Sequence, residues 1–389
     1  MRYAAPIERL ARLGDSNWAL YFRALEMAAA GRDVVNLTIG APDVPAPDYL
    51  IDAAKASLDA GRTHYAPGAG EPALRKTLAR RYTQRMGREI TPAQVLCVPG
   101  TQTGLHLALS SIAGEGDEVL VGDPMYATYG IVGAACGATL VPVPLDPQNG
   151  FRIRAADIAA RITAQTRAVW LNSPHNPTGA VLTADDIAAI GALAREHDLW
   201  ILSDEVYDEL VFEDVDFHSP LADPALAKRT IVVSAISKSH AAPGFRSGWC
   251  VGPEAFVERA VPLSNAMLFG SPPFIADATA VAVAKPSPVA TGMRDRFAAR
   301  ARRLGERLTD ATPYRVHLPD AGMFALLDVS ATGMDGGAYA DDLLERALVA
   351  VLPGTSFGPA LEDWVRVALT VPDDRFDLAV ERIVKHAPR

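Results

Sequence analysis

Between about residues 94 and 252 the chain repeats one pattern, a short β-rich apolar run followed by a stretch with helical spacing. The runs fall at 94–98, 118–121, 138–143, 167–171, 199–202 and 230–233. Each is apolar almost throughout instead of alternating with polar residues. That suits strands buried on both faces, as in a mostly parallel sheet covered by helices on each side. Between the runs, 101–112 and 183–197 read as helices. The second opens with Thr183 as N-cap and places Asp185 and Asp186 in the positive first turn. The fold class read from this pattern is α/β.

The flanking segments read differently. Residues 289–308 form a charged helix with Met293, Phe297, Leu304 and Leu308 on one face. Its arginines interleave with Asp295 and Glu306, which reads as a solvated face and not as a nucleic-acid patch. Two strand-like stretches follow at 315–330 and 348–370. The expected organisation is an N-terminal arm and part of a small domain over 1–46, a large domain over 47–288, and a smaller α+β domain over 289–389.

Composition narrows the function classes. With 389 residues and 49% hydrophobic content, there is ample material for a core, and no window holds about 18 uninterrupted apolar residues. The net charge of −9 argues against a general nucleic-acid binder. Pro6 and Glu8 interrupt the start before an apolar signal segment forms, so none is expected. Cys97, Cys136 and Cys250 are odd in number and far apart, fitting neither a disulfide framework nor a zinc site. A reducing cytoplasm is expected, and no metal. Gly68–Ala73 matches G-x-G-x-x-A, but Tyr65-Ala66-Pro67 precedes it where that signature needs a strand. It reads as a turn into a helix.

Four turns at strand ends carry chemistry-bearing residues. Pro99-Gly100-Thr101-Gln102 opens a helix, where free N–H groups and the helix dipole favour a phosphate and glycine permits close approach. Asn172-Ser173-Pro174-His175-Asn176-Pro177-Thr178-Gly179 is a rigid turn that aims Asn172 and Asn176 beyond the sheet. Ser203-Asp204-Glu205-Val206-Tyr207 sets an acid and a phenol at the edge where open α/β sheets bind ligands. Ser237-Lys238 closes the last run, with Arg246 eight residues on; the chain has only six lysines. A desolvated lysine has a lowered pKa and can form a Schiff base. An amine, a carboxylate, a carboxamide, a phenol and a phosphate cradle on one sheet edge match what pyridoxal phosphate requires.

Asn176-Pro177-Thr178-Gly179, Ser203 to Tyr207, Ser237-Lys238 with Gly244-Phe245-Arg246, and Trp364-Val365-Arg366-Val367 resemble the class I/II aminotransferases of aspartate-aminotransferase fold, from about residue 15 to 375. The resemblance implies pyridoxal 5'-phosphate as cofactor, bonded covalently to Lys238. It implies that Asp204 pairs with the pyridine nitrogen, that Tyr207 and Asn176 bond the ring oxygen, and that Tyr126 stacks on the ring. Thr101, Gln102, Ser237 and Arg246 would hold the phosphate beside Gly100. Tyr65 would reach a neighbouring subunit's phosphate, making a homodimer with shared sites. Arg366 would clamp the substrate carboxylate, with Asn176 and Gly40 beside it, and Trp18 would line the entrance. Lys238 would also carry the Cα proton, in ping-pong transfer of an amino group from an L-amino acid to a 2-oxo acid.

Three positions depart from the family pattern. Ala235 stands where many relatives have serine, Pro243 replaces a threonine, and Ala266 occupies the apparent place of an arginine that reads a second carboxylate. Stretches such as 172–177 and 268–272 are similar to arginine:pyruvate aminotransferases. Asp15 is a candidate for meeting a cationic side chain, although a cap or loop carboxylate is the simpler reading. Set against transamination are β-elimination from a sulfur amino acid on the same scaffold and a non-catalytic ligand-binding or regulatory module.

Overall fold

The computed structural model describes residues 3–13 and 18–388. Asp15 lies outside the described residues. The first strand, β1 (Val35–Asn36), is short. Seven more follow: β2 (Val95–Val98), β3 (Glu118–Asp123), β4 (Thr139–Pro144), β5 (Thr166–Asn172), β6 (Trp200–Asp204), β7 (Thr230–Ala235) and β8 (Gly248–Val251). They form one sheet in the order β2-β8-β7-β6-β5-β3-β4. Only β8 runs against its neighbours, β2 and β7. The other six therefore end on the same edge.

Most of these strands are apolar on both sides because helices cover both; the edge strand β4 departs from the expected burial, since only its Val143 is buried. Leu96, Val119, Val121, Trp170 and Leu202 pack under the helices Gly100–Ile112, Tyr129–Cys136 and Glu254–Met267. Leu120, Val169, Leu171 and Ile201 face the opposite way, toward the helix Ala184–Glu196. Successive residues alternate between the two layers, as a pleated strand requires. Thr183 caps Ala184–Glu196 through a reciprocal bond pair with Asp186.

The chain's last hundred residues build a second, antiparallel sheet from β9 (Arg315–His317), β10 (Phe324–Asp328), β12 (Leu352–Pro353) and β13 (Trp364–Ala368), in the order β12-β13-β10-β9. The intervening β11 (Val349–Ala350) pairs in parallel with β1. Met293, Phe297, Leu304 and Leu308 of the helix Pro288–Ala311 are fully buried in this core, as their spacing requires. Leu20, Ala24, Val35 and Leu37 join the same cluster.

The helix Ala5–Ala11 lies on Tyr129–Cys136, where Arg9 Nε donates to the Ala134 carbonyl at 2.8 Å. One reading needs correction: not all arginines of Pro288–Ala311 are solvated. Arg300 is 2% exposed and bonds Asp43, Asp373 and the Leu369 carbonyl, so one turn of the charged face is an internal tie. Among the described residues, no helix is long and apolar enough to cross a membrane, and no cluster of metal-binding side chains occurs.

Candidate active site

The shared edge of the large sheet and the face of the antiparallel sheet enclose a cavity of about 350 Å³. After β3 the chain steps outward to β4 and returns to β5 on the other side of β3. Crossovers diverge at that point and leave a crevice, where open α/β sheets bind ligands.

One end of the cavity is built for an anion. The helix Gly100–Ile112 points its N-terminus there, with Thr101 and Gln102 in its first turn. Thr101 Oγ1 is buried without a hydrogen-bond partner among the described residues. Arg246 lies across Gly100, and a methyl group on Gly100 would run into its guanidinium. Its Nη1 and Nη2 donate to the Pro243 and Pro99 carbonyls at 3.0 and 3.3 Å, fixing the plane of the fork. Ser237 also lines the cavity.

At the middle stand Asp204 and Lys238. Asp204, the last residue of β6, is 3% exposed, and burial pushes its carboxyl up to about 6. Two donors oppose that rise: the Tyr129 hydroxyl to Oδ2 at 2.8 Å and the Val206 N–H to Oδ1 at 3.2 Å. Its neighbour Glu205 is buried outside the cavity, bonded by Ser203 and Ser219, and burial lifts it to about 8. Lys238 follows β7 on a single helical turn and donates to the Gly40 carbonyl at 2.7 Å. Burial, reinforced by the charge of Arg366, lowers its amine to about 8. About a tenth is then unprotonated at pH 7, against well under a hundredth for an ordinary lysine, and a nucleophilic amine needs that form.

The far wall belongs to the antiparallel sheet. Arg366 sits mid-strand in β13, with Nη1 donating to Asn176 Oδ1 at 2.9 Å and Nη2 to the Thr38 carbonyl at 2.6 Å. Its guanidinium lies between two rings, 3.8 Å from the centre of Phe324 and 4.6 Å from that of Phe357. Burial lowers its pKa to about 10, so it remains a cation at neutral pH. Nε is buried without a partner among the described residues. A planar cation with its faces covered accepts a carboxylate only at its edge.

Residues 32–383 match the family described as aminotransferase class I and II. The chain belongs to that family. It is 42% identical to the arginine–pyruvate transaminase AruH of Pseudomonas aeruginosa, over 98% of this chain and 97% of that one. It is 32% identical to an aspartate aminotransferase of Pyrococcus horikoshii, with 92% of each chain covered. Among solved structures, aspartate aminotransferase from Thermus thermophilus with maleate superposes with a TM-score of 0.92 at 32% identity, covering 99% of this chain and all of that one. The enzyme thus transfers an amino group between an amino acid and a 2-oxo acid, which sets aside the non-catalytic module and favours transfer over β-elimination.

Within this aminotransferase, Lys238, Asp204, Tyr207, Thr101, Gln102, Tyr126, Asn176, Ser237, Arg246, Arg366, Gly40 and Trp18 all line the one cavity. Gly100 lies just behind its wall. Gly40 earns its place sterically, since any side chain there would enter the Phe324 ring. Tyr65 does not line the cavity; it is 81% exposed, edge-on to Phe269 at 5.1 Å. Ala266 is exposed and also outside the lining, whereas Pro243 lines it. Asn172 borders the cavity but is spent on the turn: it accepts from the Asn176 N–H and donates to the Pro174 and Asp204 carbonyls. Sequence reasoning missed Tyr129, Phe324 and Phe357. An aromatic within a helix or strand looks like core, and only the folded chain shows which ones touch a charged group.

Proposed function

We propose that this aminotransferase works with pyridoxal 5'-phosphate, and that L-arginine and pyruvate are its donor and acceptor. The residues fit the cofactor. The unpartnered Thr101 hydroxyl, the helix N-terminus and Arg246 suit a phosphate, and the buried Asp204 suits a protonated ring nitrogen. Bound there, the cofactor supplies an electron-poor ring that takes up the charge left when the donor Cα–H bond breaks.

The chain's own groups do the rest. Lys238 is the amine that bonds to the cofactor and, once free, moves the proton at the donor Cα. Asp204 holds a proton on the ring nitrogen. Tyr207 and Asn176 would bond the ring oxygen, Tyr126 would stack on the ring, and Thr101, Gln102, Ser237 and Arg246 would hold the phosphate. Arg366 grips the α-carboxylate, with Gly40 and Trp18 near the entrance. The exposed Tyr65 belongs with a second subunit, so a homodimer with shared sites is part of this reading. So are a cytoplasmic setting and three segments: an N-terminal arm and part of the small domain over 1–46, a large domain over 47–288 and the rest of the small domain over 289–389. The arginine–pyruvate pairing rests on the 42% identity to the Pseudomonas enzyme.

One observation carries the cofactor reading: a partly neutral lysine amine shares a cavity with a buried carboxylate and a buried arginine. Borohydride reduction of the reconstituted enzyme, followed by peptide mass mapping, should find the adduct on Lys238. An adduct elsewhere, or none, defeats it. A panel of amino donors against pyruvate and 2-oxoglutarate tests the substrate pair, and arginine turned over no faster than alanine removes it.

A further inference from the structure

We propose that Tyr129 is a positioning residue of this site, whose phenol holds the Asp204 carboxylate as an anion aimed into the cavity; this rests on the cofactor reading above. The hydroxyl donates to Oδ2 at 2.8 Å, and the Val206 N–H takes Oδ1. Each oxygen thus has one fixed donor and keeps a lone-pair direction for a ligand. Burial and the neighbouring carboxylate push ionisation of Tyr129 far up, so toward an anionic Asp204 it acts only as a donor. A donor to the charged form stabilises that form.

Its geometry leaves the phenol little choice. The Tyr129 ring, 1% exposed, stacks on Trp170 with centroids 4.1 Å apart and planes at 27°. Tyr126 meets it edge-on at 5.6 Å. One side chain therefore braces both the acid and the aromatic that are proposed to hold the cofactor ring. From behind, Asn172 bonds the Asp204 main-chain carbonyl, so backbone and side chain are both anchored. Burial alone drives Asp204 toward its neutral form, which cannot keep a proton on a ring nitrogen. The phenol is the side-chain group that opposes this.

The test is Tyr129→Phe, alone and in an Asp204→Asn background, because phenylalanine keeps the stack on Trp170 and removes one hydroxyl. Alone it should lower kcat about tenfold with KM for the donor within about twofold, matching a lost hydrogen bond to a charged group. Losing that donor raises the pKa of Asp204, and the anion is the working form. The acid limb of the pH profile should therefore move up by about one unit. The cofactor dissociation constant should rise by a similar factor. In the Asp204→Asn background the same change should alter that constant less than twofold, since no anion is left to hold. An unmoved acid limb, or losses that multiply fully in the double variant, overturns the role of Tyr129 while the cofactor reading stands. A wild-type protein that binds no pyridoxal phosphate overturns both.

Discussion

Two buried cations face each other across one cavity, and the two sheets treat them differently. Lys238 hangs from a single helical turn at the edge of the large sheet, with one hydrogen bond to a carbonyl. Arg366 is set mid-strand in the antiparallel sheet, flanked by β10 and β12, bonded at both Nη atoms and covered by two rings. Burial lowers both pKa values, to about 8 and about 10. At neutral pH that leaves the lysine partly free to react and the arginine fully charged. A group that must change partners is held at one point, and a group that must only recognise is held at both Nη atoms and over its faces, with Nε left without a partner among the described residues.

The contrast can be broken most sharply at the loose side. Lys238→Ala should lower kcat by at least about 10³-fold in steady-state assays and remove the visible absorption of the holoenzyme, since nucleophile and proton carrier are lost together. Turnover within tenfold of wild type would make the lysine dispensable. On the rigid side, Arg366→Ala should raise KM for the amino donor about a hundredfold with a smaller change in kcat, and Arg366→Lys should recover little, because a point charge cannot replace a bidentate fork. Equal losses in kcat and KM would mean that the arginine does more than bind.

Proton occupancy separates the two next. Only the unprotonated amine attacks a carbonyl, so reconstitution of the apoenzyme with pyridoxal phosphate should quicken about tenfold from pH 7 to 9 and then level off, with a midpoint near 8. A rate still climbing tenfold per unit above pH 9 would mean an ordinary lysine. The smallest effect belongs to the ring cover. Phe324→Leu keeps bulk but loses the π face, and should raise KM for the donor about threefold to tenfold.

Much of this was legible in the sequence, for definite reasons. Six strands of the large sheet announced themselves as apolar runs, five because both of their faces are buried, while the edge strand β4 is apolar yet buries only Val143. The seventh, β8, did not: Gly248-Trp249-Cys250-Val251 begins with the glycine that abuts Gly100, which leaves only three apolar side chains in the run. The site residues at strand ends were readable because strand, turn and reactive side chain adjoin in the chain. Tyr129 was not, since its two partners, Trp170 and Asp204, lie 41 and 75 residues away. Arg300 failed for a related reason: its partners Asp43 and Asp373 lie in segments that only the fold brings together.

The lone reversed strand has a mechanical corollary. Because β8 starts at the edge where β7 stops, Ala235 and Gly248 are cross-strand partners, and everything between them is one clasp closed at its base. Lys238 and the Arg246 guanidinium ride on that same clasp. Lengthening it by a single residue would displace both together, so an insertion here should be poorly tolerated.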